Sequence, residues 1–322
     1  MNGSEEILNK LDELLTRVED EIHELDIADA DMLEESAWYQ SSRQTRKAIL
    51  RDTAQTTLYR PPRTSGPHLR RVDVADDASV RPARDLAFTP LSVIVENFSS
   101  DGALIKFALN LLATPDTHRL CLGQGAKAAP PAFEIESPGG HGDIPKLIQR
   151  RIDEATARGI RPRVLVVVES DGEWIGDEKA HLTKLREDCA ARGIPCPPLT
   201  KRTAENYIPD RIWRAWAADH PKALAAINAL LRLSRDQRDH VHICKANNSP
   251  WDASKPDAFA LFGHVSAADE SALKAAGLKG RAEADISSIL SRYASASDRN
   301  DLLSRDHRGD LLTVVQHIKD EL

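Results

Sequence analysis

The sequence predicts an α/β fold in which a parallel sheet is covered by helices on both faces, with a helical N-terminal region and a mostly helical C-terminal extension. Three observations predict it. From residue 90 onward, short β-branched runs alternate with stretches of helical periodicity. The run at 163–168 is apolar throughout, as a strand buried on both faces must be. The segments between runs are long enough for right-handed crossover helices, which parallel neighbours require. The 322 residues leave room for one large domain or two ordinary ones, and 41% hydrophobic with 29% charged residues is the balance of a folded chain.

The elements follow in order. Residues 4–57 read as helix with an interruption near 26–31. Within it Leu8, Leu11, Leu15, Val18, Ile22 and Leu25 recur at spacings of three and four, with charged residues between them. Such a stripe serves a helix packed on its own domain, self-association, or the docking of a partner. A more polar helical stretch covers 33–57. Residues 59–89, with Pro61, Pro62, Gly66, Pro67 and Pro82, read as a linker or extended arm. Its Arg60, Arg63, Arg70 and Arg71 either touch phosphate or are simply solvated. Strands are expected at 91–95, 133–136 and 163–168, with a last short one at 196–199. Helices are expected between them at 101–112, 143–158 and 177–192. Beyond 203 the pattern is helical near 205–219, 221–233, 267–276, 282–294 and 308–321, and irregular over 240–264. The divisions are therefore a helical region 1–58, a linker 59–89, a core 90–210 and an extension 211–322, which either stands apart or wraps the sheet.

Composition narrows the function classes. A net charge of −7 argues against a chain coated in nucleic-acid-binding surface but leaves room for a local basic groove. The four cysteines, Cys121, Cys189, Cys196 and Cys244, make no Cys-x-x-Cys pair and have no zinc-finger histidine spacing, so reduced structural thiols are expected. No apolar run is long enough to cross a bilayer, and the N-terminus is acidic and amphipathic rather than a signal peptide. A cytoplasmic protein with no membrane partner is the expectation. Phosphate-loop, serine-elbow, zincin and dinucleotide motifs are absent.

In an open parallel sheet, ligands sit beyond the carboxyl ends of the strands. Two of the best strands end in acids: Glu96 after the first, Glu169 and Asp171 after the central one. If those strands are neighbours, three carboxylates converge and repel unless a cation lies between them. Mg²⁺, or Mn²⁺, suits such oxygen ligands, and an ion there activates water for phosphoryl transfer. Each acid alone has a plainer reading as the cap of the following helix. The Gly139-Gly140 turn is equally a matter of backbone freedom. His141 in that turn is either a proton carrier or incidental. His240 and His242 alternate as on a strand with Cys244 beyond, but show no fourth metal ligand.

A family resemblance adds to this. Val95-Glu96-Asn97-Phe98-Ser99-Ser100-Asp101 resembles the opening motif of Toprim domains in the branch of defence-associated, overcoming-lysogenisation-defect-like nucleases. Pro138-Gly139-Gly140-His141-Gly142 looks like the glycine pair after that family's second strand. The stretch 164–171, ending in Glu169-Ser170-Asp171, is similar to its Asp-x-Asp motif. Lys201-Arg202-Thr203-Ala204-Glu205-Asn206-Tyr207 is similar to its Arg-x-x-Glu-Asn-Tyr element. Order and spacing agree across about residues 90–210, with Asn97 in place of a glycine and Glu169 in place of the first aspartate. The resemblance implies a Mg²⁺-dependent nuclease acting on DNA or RNA. Glu96, Asp101, Glu169 and Asp171 would be metal ligands, and Glu96 alternatively a general acid or base. Glu205 would add a carboxylate, and Lys245 would match a downstream lysine. Lys201 and Arg202 would face a phosphate, or form a solvated surface pair. Because the large relatives fuse an ATPase that is not seen here, an ATPase or sensor protein in trans is expected, docked on the N-terminal stripe. A degenerate Toprim-like fold serving as a scaffold subunit is the alternative.

Overall fold

The computed structural model of the chain describes residues 3–59, 71–243, 254–276 and 286–322. Its centre is a parallel sheet of β1 (Leu91–Val95), β2 (Phe133–Glu136) and β3 (Val164–Val167) in the order β2-β1-β3. Val93 lies opposite Ile135 on one side and Leu165 on the other. Before the sheet come α1 (Gly3–Glu19), α2 (Ala30–Glu35), α3 (Ala37–Ser41), α4 (Gln44–Leu58) and α5 (Asp77–Ala87). Around it lie α6 (Asp101–Leu112), α7 (Pro115–Leu122), α8 (Ile144–Ala157) and α9 (Ala180–Ala191). After it follow α10 (Asp210–Asp219), α11 (Leu224–Arg232), α12 (Arg235–His240), α13 (Pro256–Phe262), α14 (Ala267–Ala276), α15 (Ile286–Tyr293), α16 (Arg299–Arg305) and α17 (Asp310–Glu321).

The period of two along each strand sorts the core into two layers. Leu91, Val93, Val95, Leu165 and Val167 face α6 together with the helices that follow residue 210. Ile94, Val164, Val166 and Val168 face α8 and α9. Each such buried aliphatic side chain contributes about 1.5–3 kcal/mol relative to leaving it in water. The C-terminal helices share one continuous core with the sheet, and α17 packs on both α6 and β3. The extension therefore wraps the sheet. The expected fourth strand at 196–199 does not form a ladder, although Val166 N–H donates to the Pro195 carbonyl at 3.0 Å and the chain runs on beside the end of β3.

One expectation for the N-terminal region is corrected and another is narrowed. Residues 71–89 are not an extended arm: α5 forms across Pro82, opened by the Asp76 carboxylate accepting from Ala78 N–H. It buries Val80, Ala83, Leu86 and Ala87 at helical spacing. Arg60, Arg63 and Arg70 lie outside the described residues. Of the uses open to the apolar stripe of α1, the structure shows packing within its own chain. Leu11 and Leu15 are buried against Leu33, Trp38, Tyr39, Leu50 and Val80, with Leu8, Val18 and Leu25 packed around them. Arg17 ties this unit to the sheet, donating through Nε to the Ala87 carbonyl (3.2 Å) and through Nη1 to that of Pro130 (2.9 Å).

Candidate functional site

Because β1 and β3 are neighbours, the chain leaves both strands at one edge, and the acids that follow them meet there. After Glu96 the backbone turns into α6. Asn97 makes that turn: its Oδ1 accepts from Ser99 N–H at 2.8 Å, while its own N–H donates to Asp101 Oδ2 at 3.0 Å. Ser100 Oγ donates to the other oxygen of Asp101 at 3.1 Å. Asp101, the first residue of α6, is thereby fixed and almost wholly buried.

Glu169 reaches the same place from β3. Its Oε1 accepts from Ala204 N–H at 2.5 Å, and its carboxyl is hydrogen-bonded to that of Asp101. Two carboxyls share such a bond only if one carries a proton. Burial first, then the charges of Asp101 and Glu205, pushes Glu169 well above its ordinary range. Burial is also the main cause that raises Asp101, with Glu96 adding to it. Glu96, Asp101, Glu169 and Glu205 thus form one electrostatic group in which Glu96 and Glu205 are half-buried. Glu205 stands on a 3₁₀ turn, Ala204–Tyr207, closed by a capping box between Thr203 and Asn206.

The other expected residues are placed differently. Asp171 does not join the hydrogen-bonded group. It is exposed, with φ of 52° in the left-handed region, its N–H donates to the Arg202 carbonyl at 3.1 Å, and its charge acts on the Arg202 guanidinium. Lys201 is no surface residue facing phosphate or solvent: it is 1% exposed, and its Nζ lies 2.5 Å from Oδ1 of Asp239. Arg305 reaches that same oxygen at 2.6 Å. Burial, then Arg305, lowers Lys201 to about 8. Arg202 is half-buried, donating to the His240 carbonyl at 3.2 Å beside Glu173. His240 is buried with Nδ1 3.1 Å from the Gly172 carbonyl. Lys245 and Cys244 lie outside the described residues.

Asp239 and Arg305 escaped the sequence reading, yet they frame the site. Arg202 N–H donates to the Asp239 carbonyl (2.8 Å), Arg305 Nε to the Asn206 carbonyl (2.7 Å), and Asn206 Nδ2 to the carbonyls of Arg238 (2.7 Å) and Val241 (2.9 Å). The only local sign was the Asn at position 206, whose side chain both caps its turn and reaches the last turn of α12.

The carboxylate group fits a hard divalent cation by the chemistry of its donors. It holds oxygens alone, and its own repulsion is relieved by a proton that a cation can replace. Among the described residues, no three His, Cys, Asp or Glu side chains are grouped so as to enclose an ion. Mg²⁺ commonly binds through one or two carboxylates, retained water and substrate phosphate rather than in a closed protein cage. Among the described residues, no helix is long and apolar enough to cross a membrane. Compared with known proteins, the chain matches no family model, no curated protein and no solved structure.

Proposed function

We propose that the chain is a Toprim-like, Mg²⁺- or Mn²⁺-dependent nuclease that hydrolyses phosphodiester bonds of DNA or RNA, working as the effector of a prokaryotic defence system. The single observation that supports this reading is the adjacency of β1 and β3, which gathers Glu96, Asp101, Glu169 and Glu205 at one sheet edge. One or two of Glu96, Asp101 and Glu169 would hold the ion, with water and substrate phosphate completing its shell. When bound, Mg²⁺ supplies polarisation of a phosphoryl oxygen and a water of lowered pKa. The chain's own part is to keep these carboxyls in place: Ala204 N–H anchors Glu169, and Asn97 N–H with Ser100 Oγ anchors Asp101. Glu96, half-buried, would serve either as a ligand or as the acceptor of the attacking water's proton. The defence role and a trans-acting ATPase or sensor rest on the resemblance in residues 90–210.

A second reading, a degenerate scaffold subunit, is favoured by one specific arrangement. Glu169 is already satisfied within the chain by Ala204 and Asp101, and the lysine expected at the edge is withdrawn to Asp239. Cleavage of plasmid DNA and of total tRNA in Mg²⁺ and Mn²⁺ decides between them. A nuclease cuts one of these, and Glu96→Ala and Glu169→Gln each reduce the rate by about a hundredfold or more. Asp171→Ala has a smaller effect, because Asp171 stands outside the hydrogen-bonded acids. Absence of cutting together with absence of Mg²⁺ binding in calorimetry assigns the scaffold role.

A further inference from the structure

Between α10, α12 and α16, against the turn that carries Glu205, lies an open cavity of about 400 Å³. Five arginines line it: Arg211, Arg214, Arg235, Arg238 and Arg305, with Asp210 and Asp301 as its carboxylates. The charges do not cancel. Asp210 is shared by Arg238 (2.5 Å) and Arg214 (3.7 Å). Asp239, behind the wall, is shared by Arg305 and Lys201. Asp298 is taken by Arg211, on which the exposed Asp301 also acts. Arg235, the first residue of α12, is exposed at the rim. Five arginines thus face two lining carboxylates, while Asp239 and Asp298 compensate Arg305 and Arg211 from behind the wall.

We propose that this cavity binds a small phosphate-bearing anion. The lining itself carries more positive than negative charge. The planar guanidinium fork matches phosphate oxygens in pairs, which a lysine cluster does not. A volume of this size holds a small molecule rather than following a polymer backbone. Arg238 and Arg305 are only 12% and 7% exposed, so their bonds to an anion are poorly screened. The cavity is separate from the acidic edge and does not rest on the nuclease reading, yet Arg305 touches both: its Nε holds the Asn206 carbonyl of the Glu205 turn. An anion drawing on Arg305 therefore acts on the backbone that presents Glu205 and the Ala204 N–H.

The test is calorimetric titration of the full chain with inorganic pyrophosphate, without divalent metal. Wild type binds saturably at one site. Arg235→Gln and Arg214→Gln, whose side chains are exposed and whose loss spares the core, each weaken binding about tenfold. Arg51→Gln, an exposed arginine of α4, leaves it unchanged. Melting curves matching wild type without ligand show that the variants are folded. Absence of saturable heat in wild type, or equal affinity in all four proteins, overturns the proposal. So does displacement of pyrophosphate by a single-stranded oligonucleotide, which would assign the cavity to a nucleic-acid backbone.

Discussion

Glu169 stands where the resemblance leads one to expect aspartate, and its extra methylene has a use. It carries the carboxyl across to Ala204 N–H and into contact with Asp101. Because burial and neighbouring charge raise both acids, the folded chain keeps a proton that the unfolded chain releases. For an acid so raised, the stabilising contribution is full below the unfolded value, near the ordinary 4.5 for Glu169, and is lost as pH rises through the folded one. Glu169→Gln keeps both hydrogen bonds and removes the repulsion. Its melting temperature at neutral pH should exceed that of wild type by about 2–4 °C, with a flatter profile from acid to neutral pH. Calorimetric melts across that range check it, and a variant as pH-sensitive as wild type would count against the shared proton. The residue scale also shows what a sequence conceals. Asn97 in place of glycine looked like a defect, but its side chain bonds Ser99 N–H and does the work of the turn. Lys201 looked like a surface cation because its partner, Asp239, lies 38 residues away.

At the scale of elements, the three strands fall where short β-branched, apolar runs place them, because that signal is local. Crossover length implied parallel strands but left their order open; the structure supplies the β1–β3 pairing and with it the meeting of Glu96 and Glu169. By contrast, α5 was hidden in a proline- and arginine-rich stretch, since its apolar face shows only Val80, Ala83, Leu86 and Ala87. The stripe of α1 was visible, but periodicity says that a face is covered without saying by what. The structure covers it with Trp38, Tyr39, Leu50 and Val80. Leu15→Ala should therefore cost about 2–5 kcal/mol in urea unfolding, as a cavity in a packed cluster does. An unchanged midpoint would return the stripe to the role of a docking surface.

Across the whole molecule, the extension after residue 210 is a frame for the sheet edge as well as a cover for the sheet. Tyr207 donates to Asp310 Oδ2 at 2.5 Å, the same oxygen that accepts from Thr200 N–H at 2.8 Å and Thr200 Oγ1 at 2.7 Å. Asp239 is the knot of this frame, wholly buried between Lys201 and Arg305. Asp239→Asn leaves two buried cations without their counter-charge, and about 3–5 kcal/mol of stability should be lost. Urea unfolding measures this, and a loss below about 1 kcal/mol would mean that water reaches the triad. None of it was legible in advance, since each contact joins segments far apart along the chain.

The separation of 99 residues between Arg305 and Asn206 bears on the order in which the molecule is made. A growing chain that has released the sheet and its acids still lacks the residues that fasten their turn. Contacts so distant along the chain close late and slowly. During synthesis the carboxylates and their nearest anchors are thus present first, and the turn that carries Glu205 takes its final hold only with the last helices.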